Sequence, residues 1–195
     1  MIDKQIQEMD MGLEKNKQMF LWVLRDADKG NVFDGETRKD RLPKEYQERS
    51  EGIGIVVTDW TPQLEILGHT SIGGFMSHCG WNSCMESIRM GVPILAWPMH
   101  SEQPWNATLI TDILELGIQV TEQAQQMELV NSSTIEKVVN RLMVSKEGQE
   151  LRSRAEKLGR EVRLKRWRQL SYVNQEDNHG FKQQPHVEAS QNLRD

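Results

Sequence analysis

The run His78-Cys-Gly-Trp-Asn-Ser83 concentrates the side chains best suited to holding an anion. Imidazole, amide and hydroxyl groups donate hydrogen bonds to phosphate oxygens, and Gly80 lets a ligand come close to the backbone. The run lies between an apolar stretch with strand character, Ile72 to Met76, and a helical pattern from Asn82 to Met90. A helix that starts there turns its first N–H groups and the positive end of its dipole toward a bound diphosphate. Glu86, one turn into that helix, is placed to accept from sugar hydroxyls. Two plainer readings stand beside this one. Ser83-x-x-Glu86 also has the spacing of a capping box, and His78 could be a strand-end histidine satisfied by backbone. Cys79 and Cys84 near a histidine invite a metal, but one Cys-x4-Cys without a second pair is poor ligand spacing, so no metal is expected. On the residues alone, this is a phosphate-binding site.

The elements that must position it follow from periodicity. Ile2, Ile6, Met9 and Leu13 form one face of an amphipathic helix, and Phe20-Leu-Trp-Val-Leu24 reads as a buried strand. Residues 26–50 are polar and read as a long surface loop. Gly54-Ile-Val-Val57 is a second strand, Thr61-Pro62 a helix start with Leu64 and Leu67 inward, and Ile72 to Met76 a third strand. Pro93 to Trp97 is a fourth. Ser101 to Leu116 reads as a helix with Trp105, Leu109, Ile113 and Leu116 on its buried face. Gly117 stops that helix, and Ile118 to Val120 is a last short strand. Ile135, Val138, Val139 and Leu142 then mark a helix opened by Ser133 with Glu136 as a capping box. Leu151, Ala155, Leu158 and Val162 mark another. Short strands alternating with helices predict the α/β class, a Rossmann-like parallel sheet with helices on both faces.

Composition narrows the partners. The chain has 195 residues, 37% hydrophobic and 27% charged, with a net charge of −5. That balance fits a globular protein and offers no positive field for nucleic acid. No apolar run is long enough to span a membrane, and the start lacks a signal-peptide pattern. Two cysteines are not a disulfide framework, so a reduced, cytoplasmic protein is expected. Ordered structure is expected over residues 1–162. Residues 163–195, beginning with the basic cluster Arg163-Leu-Lys-Arg-Trp-Arg168, read as a divergent, disordered tail.

The residues also carry a resemblance. From Trp60-Thr-Pro-Gln63 through His78-Cys-Gly-Trp-Asn-Ser83 and Glu86 to Glu102-Gln103, 44 residues resemble the plant signature box of family 1 UDP-glycosyltransferases without insertion. Phe20-Leu-Trp-Val-Leu-Arg-Asp26 and His100-Ser-Glu-Gln-Pro-Trp-Asn106 are most similar to the cytokinin (zeatin) O-glycosyltransferases. The resemblance implies the carboxy-terminal, donor-binding half of a GT-B fold, starting after that half's first strand. It implies that Trp60 stacks on uracil and that Gln63 and Glu86 bind the ribose. His78, Asn82 and Ser83 would hold the diphosphate, Trp81 would line the sugar pocket, and Glu102 and Gln103 would bind the hexose. The family usually has aspartate where Glu102 stands. Gln103 points to UDP-glucose as the co-substrate, with UDP-xylose the alternative, and no cofactor is implied. The acceptor would be a small hydroxylated plant metabolite such as a cytokinin. The catalytic histidine belongs to the family's amino-terminal half, so no catalytic base is expected here. The resemblance thus implies an inverting hexosyltransferase; a non-catalytic UDP-sugar-binding remnant, or an inert fragment lacking the acceptor domain, is the alternative.

Overall fold

Apolar residues at helical and strand spacing set the architecture. The structure, a computed structural model, describes residues 3–24, 52–121 and 128–180, with side chains to Lys165. Helix α1, Asp3–Asn16, buries Ile6 and Met9 as its spacing predicts. Strand β1, Phe20–Val23, pairs in parallel with β2, Gly54–Val57, Phe20 opposite Gly54. Helix α2, Gln63–Leu67, turns Leu67 inward. A second parallel ladder follows in the order β3, Phe75–Ser77; β4, Ile94–Ala96; and β5, Gly117–Gln119. Between its strands come α3, Trp81–Met90, and α4, Gln103–Thr108, which widens into a π turn over Leu109–Ile113. Helices α5, Ser132–Val144, and α6, Lys146–Gly180, close the chain. The α/β reading holds. The expected loop over residues 26–50 lies outside the described residues.

Two clusters fill the core. One joins Met9 of α1, Leu95 and Trp97 around β4, Ile118 and Val120 around β5, and Ile135, Val139 and Leu142 of α5. The other joins Cys79, Cys84, Ile88, Ala107, Ile110 and Ala155 beneath α3, α4 and α6. Glycines allow the tight helix crossings. A Cβ on Gly12 would stand 2.7 Å from Ile135 Cβ, so α1 meets α5 at backbone contact. Gly91 ends α3 with φ +77, and a Cβ on Gly159 of α6 would stand 2.8 Å from its Cα. Both positions need glycine, one for its left-handed backbone and one for space.

Three expectations change. The inward face of α4 carries Gln103, Asn106, Ala107 and Ile110, whereas Trp105 is 79% and Ile113 69% exposed. Asn106 and Gln103 are buried and both hydrogen-bonded, Asn106 to the buried Cys79 carbonyl, and those bonds fix the helix rotation that hydropathy alone assigns the other way. Helix α5 is capped by Asn131, whose Oδ1 accepts from Thr134 N at 2.9 Å, not by a Ser133–Glu136 box. The cap is set from α1: Gln5 exchanges two hydrogen bonds with the Val130 backbone, at 2.8 and 2.9 Å, and Ser132 N donates to Glu8. Helix α6 runs on to Gly180, well past Arg163, where regular structure was expected to end. The Arg163 guanidinium donates to the Arg89 carbonyl at the end of α3.

Candidate functional site

Because all five strands are parallel within their ladders, the loops after β3 and β4 emerge at one carboxyl edge. Three residues, 78–80, connect β3 to α3. Cys79 stands in the left-handed region at φ +63, a conformation that asks for support in a residue with a side chain. It has that support on three sides. Its N–H donates to Ser77 Oγ at 3.1 Å, its carbonyl accepts from Asn106 Nδ2 at 2.9 Å, and its buried, free thiol donates to Ser77 O at 3.5 Å. A hydrogen bond with Cys84, together with burial, pushes the Cys79 thiol far above the usual range, so it stays protonated. The thiols fill space beneath the loop. Asn106 and Ser77 are positioning residues that sequence reasoning missed; an amide among inward-facing residues of α4 was their signal.

The loop delivers α3 without a side-chain cap. Gly80 is the N-cap and makes no side-chain cap bond, and the first turn carries no acidic residue. Cys84 N closes the first turn on Gly80 O at 3.1 Å, so the N–H groups of Trp81, Asn82 and Ser83 precede the helical ladder. The His78 ring folds over this end: a Cβ on Gly80 would stand 2.6 Å from His78 Nε2. Ser83 and Glu86 therefore sit at the third and sixth helical positions, which removes the capping-box reading. Gln63, at the start of α2, instead joins them. Its Nε2 donates to Glu86 Oε2 at 2.8 Å and lies 3.4 Å from Ser83 Oγ.

The remaining predicted residues divide. Trp60 follows β2 and is 79% exposed, a broad flat face toward solvent; Trp81 and Asn82 are exposed at the start of α3. Glu102 is exposed at the N-cap of α4 and makes no cap bond. Gln103 is buried, and its Oε1 accepts from Met99 N at 2.9 Å and His100 N at 3.1 Å. That carbonyl is turned into its own loop. Of the other histidines, His69 Nδ1 accepts from Ser71 N, and His100 Nδ1 meets Ser101 Oγ. A cavity of about 760 Å³ opens past β5 beside Gln119 and Thr121 and shares none of these residues.

Fold and site together define an α/β domain with polar side chains and a helix start gathered at a strand-to-helix junction. The chain belongs to the UDP-glucoronosyl and UDP-glucosyl transferase family, whose profile matches residues 1–151. It is 58% identical over 161 residues to a zeatin O-xylosyltransferase of Phaseolus vulgaris, covering 82% of this chain and 36% of that protein. It is 59% identical over 157 residues to a zeatin O-glucosyltransferase of Phaseolus lunatus, covering 80% and 34%. Among solved structures, TcCGT1 in complex with UDP superposes with TM-score 0.74 at 39% identity, over 82% of this chain and 35% of that one. A transferase from Siraitia grosvenorii in complex with UDP gives 0.71 at 34% identity, over 83% and 35%. The chain thus spans about a third of the length of these relatives, and the architecture is the GT-B donor half that the resemblance implies. Among the described residues, no helix is long and apolar enough to cross a membrane.

Proposed function

We propose that this domain binds a UDP-sugar and forms the donor half of a cytoplasmic, inverting, metal-independent glycosyltransferase that transfers glucose to a hydroxyl of a zeatin-like acceptor. The observation that carries the proposal is the α3 start: a helix N-terminus without a side-chain cap beside the His78 ring, with Gln63, Ser83 and Glu86 gathered one turn away. In this reading the diphosphate rests on the amides of Trp81 to Ser83, with His78 and Asn82 donating from the sides. Gln63 and Glu86, already hydrogen-bonded to each other, face the ribose. Trp60 offers its ring to the uracil. When the bond to the anomeric carbon breaks, negative charge moves onto the departing UDP. Fixed amides and the helix dipole stabilise that charge without reorganising.

The relatives' names support a zeatin-type acceptor and leave two donors, xylose and glucose, at nearly equal identity. We take glucose, on the glutamine at position 103. Acceptor activation is assigned to the relatives' additional length: His69 and His100 engage a backbone amide and a hydroxyl. The chain alone is therefore expected to bind donor without turnover. Calorimetry with UDP-glucose, UDP-xylose and UDP tests the first half, with tighter binding of UDP-glucose than of UDP-xylose expected; no binding by folded protein overturns it. Mass spectrometry of chain, UDP-glucose and zeatin tests the second, and steady glycoside formation would overturn it.

A further inference from the structure

The loop between β4 and α4 fixes one exposed imidazole, that of His100, in a single tautomer. Gln103 is buried, and its Oε1 accepts from two backbone amides, Met99 N at 2.9 Å and His100 N at 3.1 Å. Two donors on that atom set the orientation of the side-chain amide, because the reverse orientation would turn its NH2 toward them. Gln103 Nε2 therefore carries the hydrogens, and it lies 3.4 Å from His100 Nδ1. Ser101 Oγ stands 3.1 Å from the same ring nitrogen. A proton on Nδ1 would meet the Gln103 amide hydrogens, so Nδ1 keeps its lone pair and Nε2 carries the proton. The backbone closes the clasp: Gln103 N donates to His100 O at 3.2 Å, with Ser101 between them at φ +58. Among the described residues, no partner reaches His100 Nε2.

What that outer N–H meets follows from the strand order. Strand β4 lies beside β3, so the loop over residues 97–102 adjoins the loop over 78–80 at the carboxyl edge, and Asn106 spans the two. On the donor reading proposed above, the diphosphate rests at the α3 start, and Trp60, Gln63 and Glu86 take the nucleoside end. The group carried on the other end of the diphosphate is then left to the β4–α4 loop. Resting on that reading, we propose that His100 is a sugar-contacting residue whose Nε2–H donates to a hydroxyl of the transferred sugar. Ser101 and Gln103 are the positioning residues that hold its ring by Nδ1. An imidazole locked in this tautomer is a donor at its outer nitrogen and no base there. It therefore serves a hydroxyl ligand and leaves proton abstraction to another group.

The test has a ligand-free arm and a ligand arm, both on the full chain. In the first, nitrogen NMR of the histidine side chains is read at about pH 8, above the ordinary histidine range. The His100 ring is assigned by its disappearance in His100→Ala. Nε2 protonated and Nδ1 bare is the expected state, with the Nδ1-protonated form appearing in Gln103→Ala. A parent ring that is Nδ1-protonated, or that averages both forms, overturns the proposal; an unchanged ring in Gln103→Ala overturns the positioning role. The second arm is calorimetry with UDP and with UDP-glucose. His100→Ala should lower UDP-glucose affinity roughly 3- to 10-fold, the scale of one hydrogen bond, and leave UDP affinity unchanged. In the parent, UDP-glucose but not UDP should shift the His100 Nε2 resonance. Equal losses for UDP and UDP-glucose, or no loss for either, overturn the sugar contact while the donor reading stands. A folded parent chain that binds neither ligand overturns the donor reading, and the sugar contact falls with it whatever the tautomer.

Discussion

The junctions after β3 and β4 start alike and end differently. Each follows a three-residue parallel strand, each contains a left-handed residue with a side chain (Cys79, Ser101), and each opens a helix. The β3–α3 loop is three residues long, its supporting bonds come from below, and its helix starts at Gly80 with no side-chain cap bond. The β4–α4 loop spans 97–102, and its own helix plugs it: Gln103 accepts the Met99 and His100 amides. One junction is held from beneath by Ser77 and Asn106, and the other spends its loop amides on its own helix. Asn106 ties the two together, since it belongs to α4 yet holds the Cys79 carbonyl of the other loop. The shape of the first loop therefore depends on the helix of the second.

The largest expected effect breaks the open junction directly. Gly80→Val places a branched Cβ where His78 Nε2 now lies, 2.6 Å from the built position. The ring must swing off the α3 start, and UDP affinity should fall by roughly 2–3 kcal/mol, the upper range for losing a charge-assisted hydrogen bond. Calorimetry on a variant with unchanged circular dichroism checks this; retained affinity would detach His78 from the site. Trp60→Ala should come next, at about 1–3 kcal/mol of UDP binding, the scale of one aromatic stack on a base. Because Trp60 is exposed, its loss should leave thermal stability unchanged.

Asn106→Ala tests the tie. It leaves a buried carbonyl without its donor, which should cost about 1–3 kcal/mol of stability in denaturant unfolding. UDP affinity should fall with it although Asn106 lies beneath the cradle; an affinity that holds while stability drops would separate the junctions. Gln103→Ala sharpens the contrast. Its loss should cost about 0.5–1.5 kcal/mol of stability by freeing two loop amides, with UDP binding nearly intact. If UDP-glucose binding falls selectively, Gln103 also reads the sugar through its amide nitrogen.

These two residues mark where the sequence was legible. Apolar runs such as Gly54 to Val57 and Pro93 to Trp97 announced the strands; β4 is buried throughout, as a strand inside a parallel sheet demands, whereas Ile55 of β2 is 62% exposed. Ile135, Val139 and Leu142 announced α5 through helical spacing. The proposed cradle could be read because its residues are contiguous from His78 to Ser83. Asn106 was not, since its partner lies 27 residues away and hydropathy ranks Trp105 above it for the core. Asn131 was missed for the same reason: the start of α5 is set by Gln5 and Glu8, more than 120 residues earlier. The clustering of Gln63 with Glu86 needed α2 and α3 to pack side by side, a tertiary fact. The resemblance named both residues, and the fold supplied their contact.

The smallest effect fixes the baseline against which the others are read. Arg141 donates two hydrogen bonds of 2.6 Å to Glu147 at the α5–α6 corner, away from the cradle. These bonds hold the Glu147 carboxyl below its ordinary range and raise Arg141, which stays charged throughout. A lowered folded value means that stability is fully present above the unfolded glutamate value, about 4.3, and is lost as pH falls through the folded one. Both side chains are about half exposed, at 52% and 45%, so water and salt limit the gain to about 0.2–1 kcal/mol. Glu147→Gln should therefore flatten the fall in unfolding free energy between about pH 5 and 3 by no more than that amount. Raising salt to 1 M should shrink the difference between the two proteins. The acid slope should be the same in Gly80→Val and Gln103→Ala, because neither touches this corner. An acid slope that changes in either variant would mean that the junctions and the α5–α6 corner unfold as one coupled unit, and the two-junction comparison would then have to include α6.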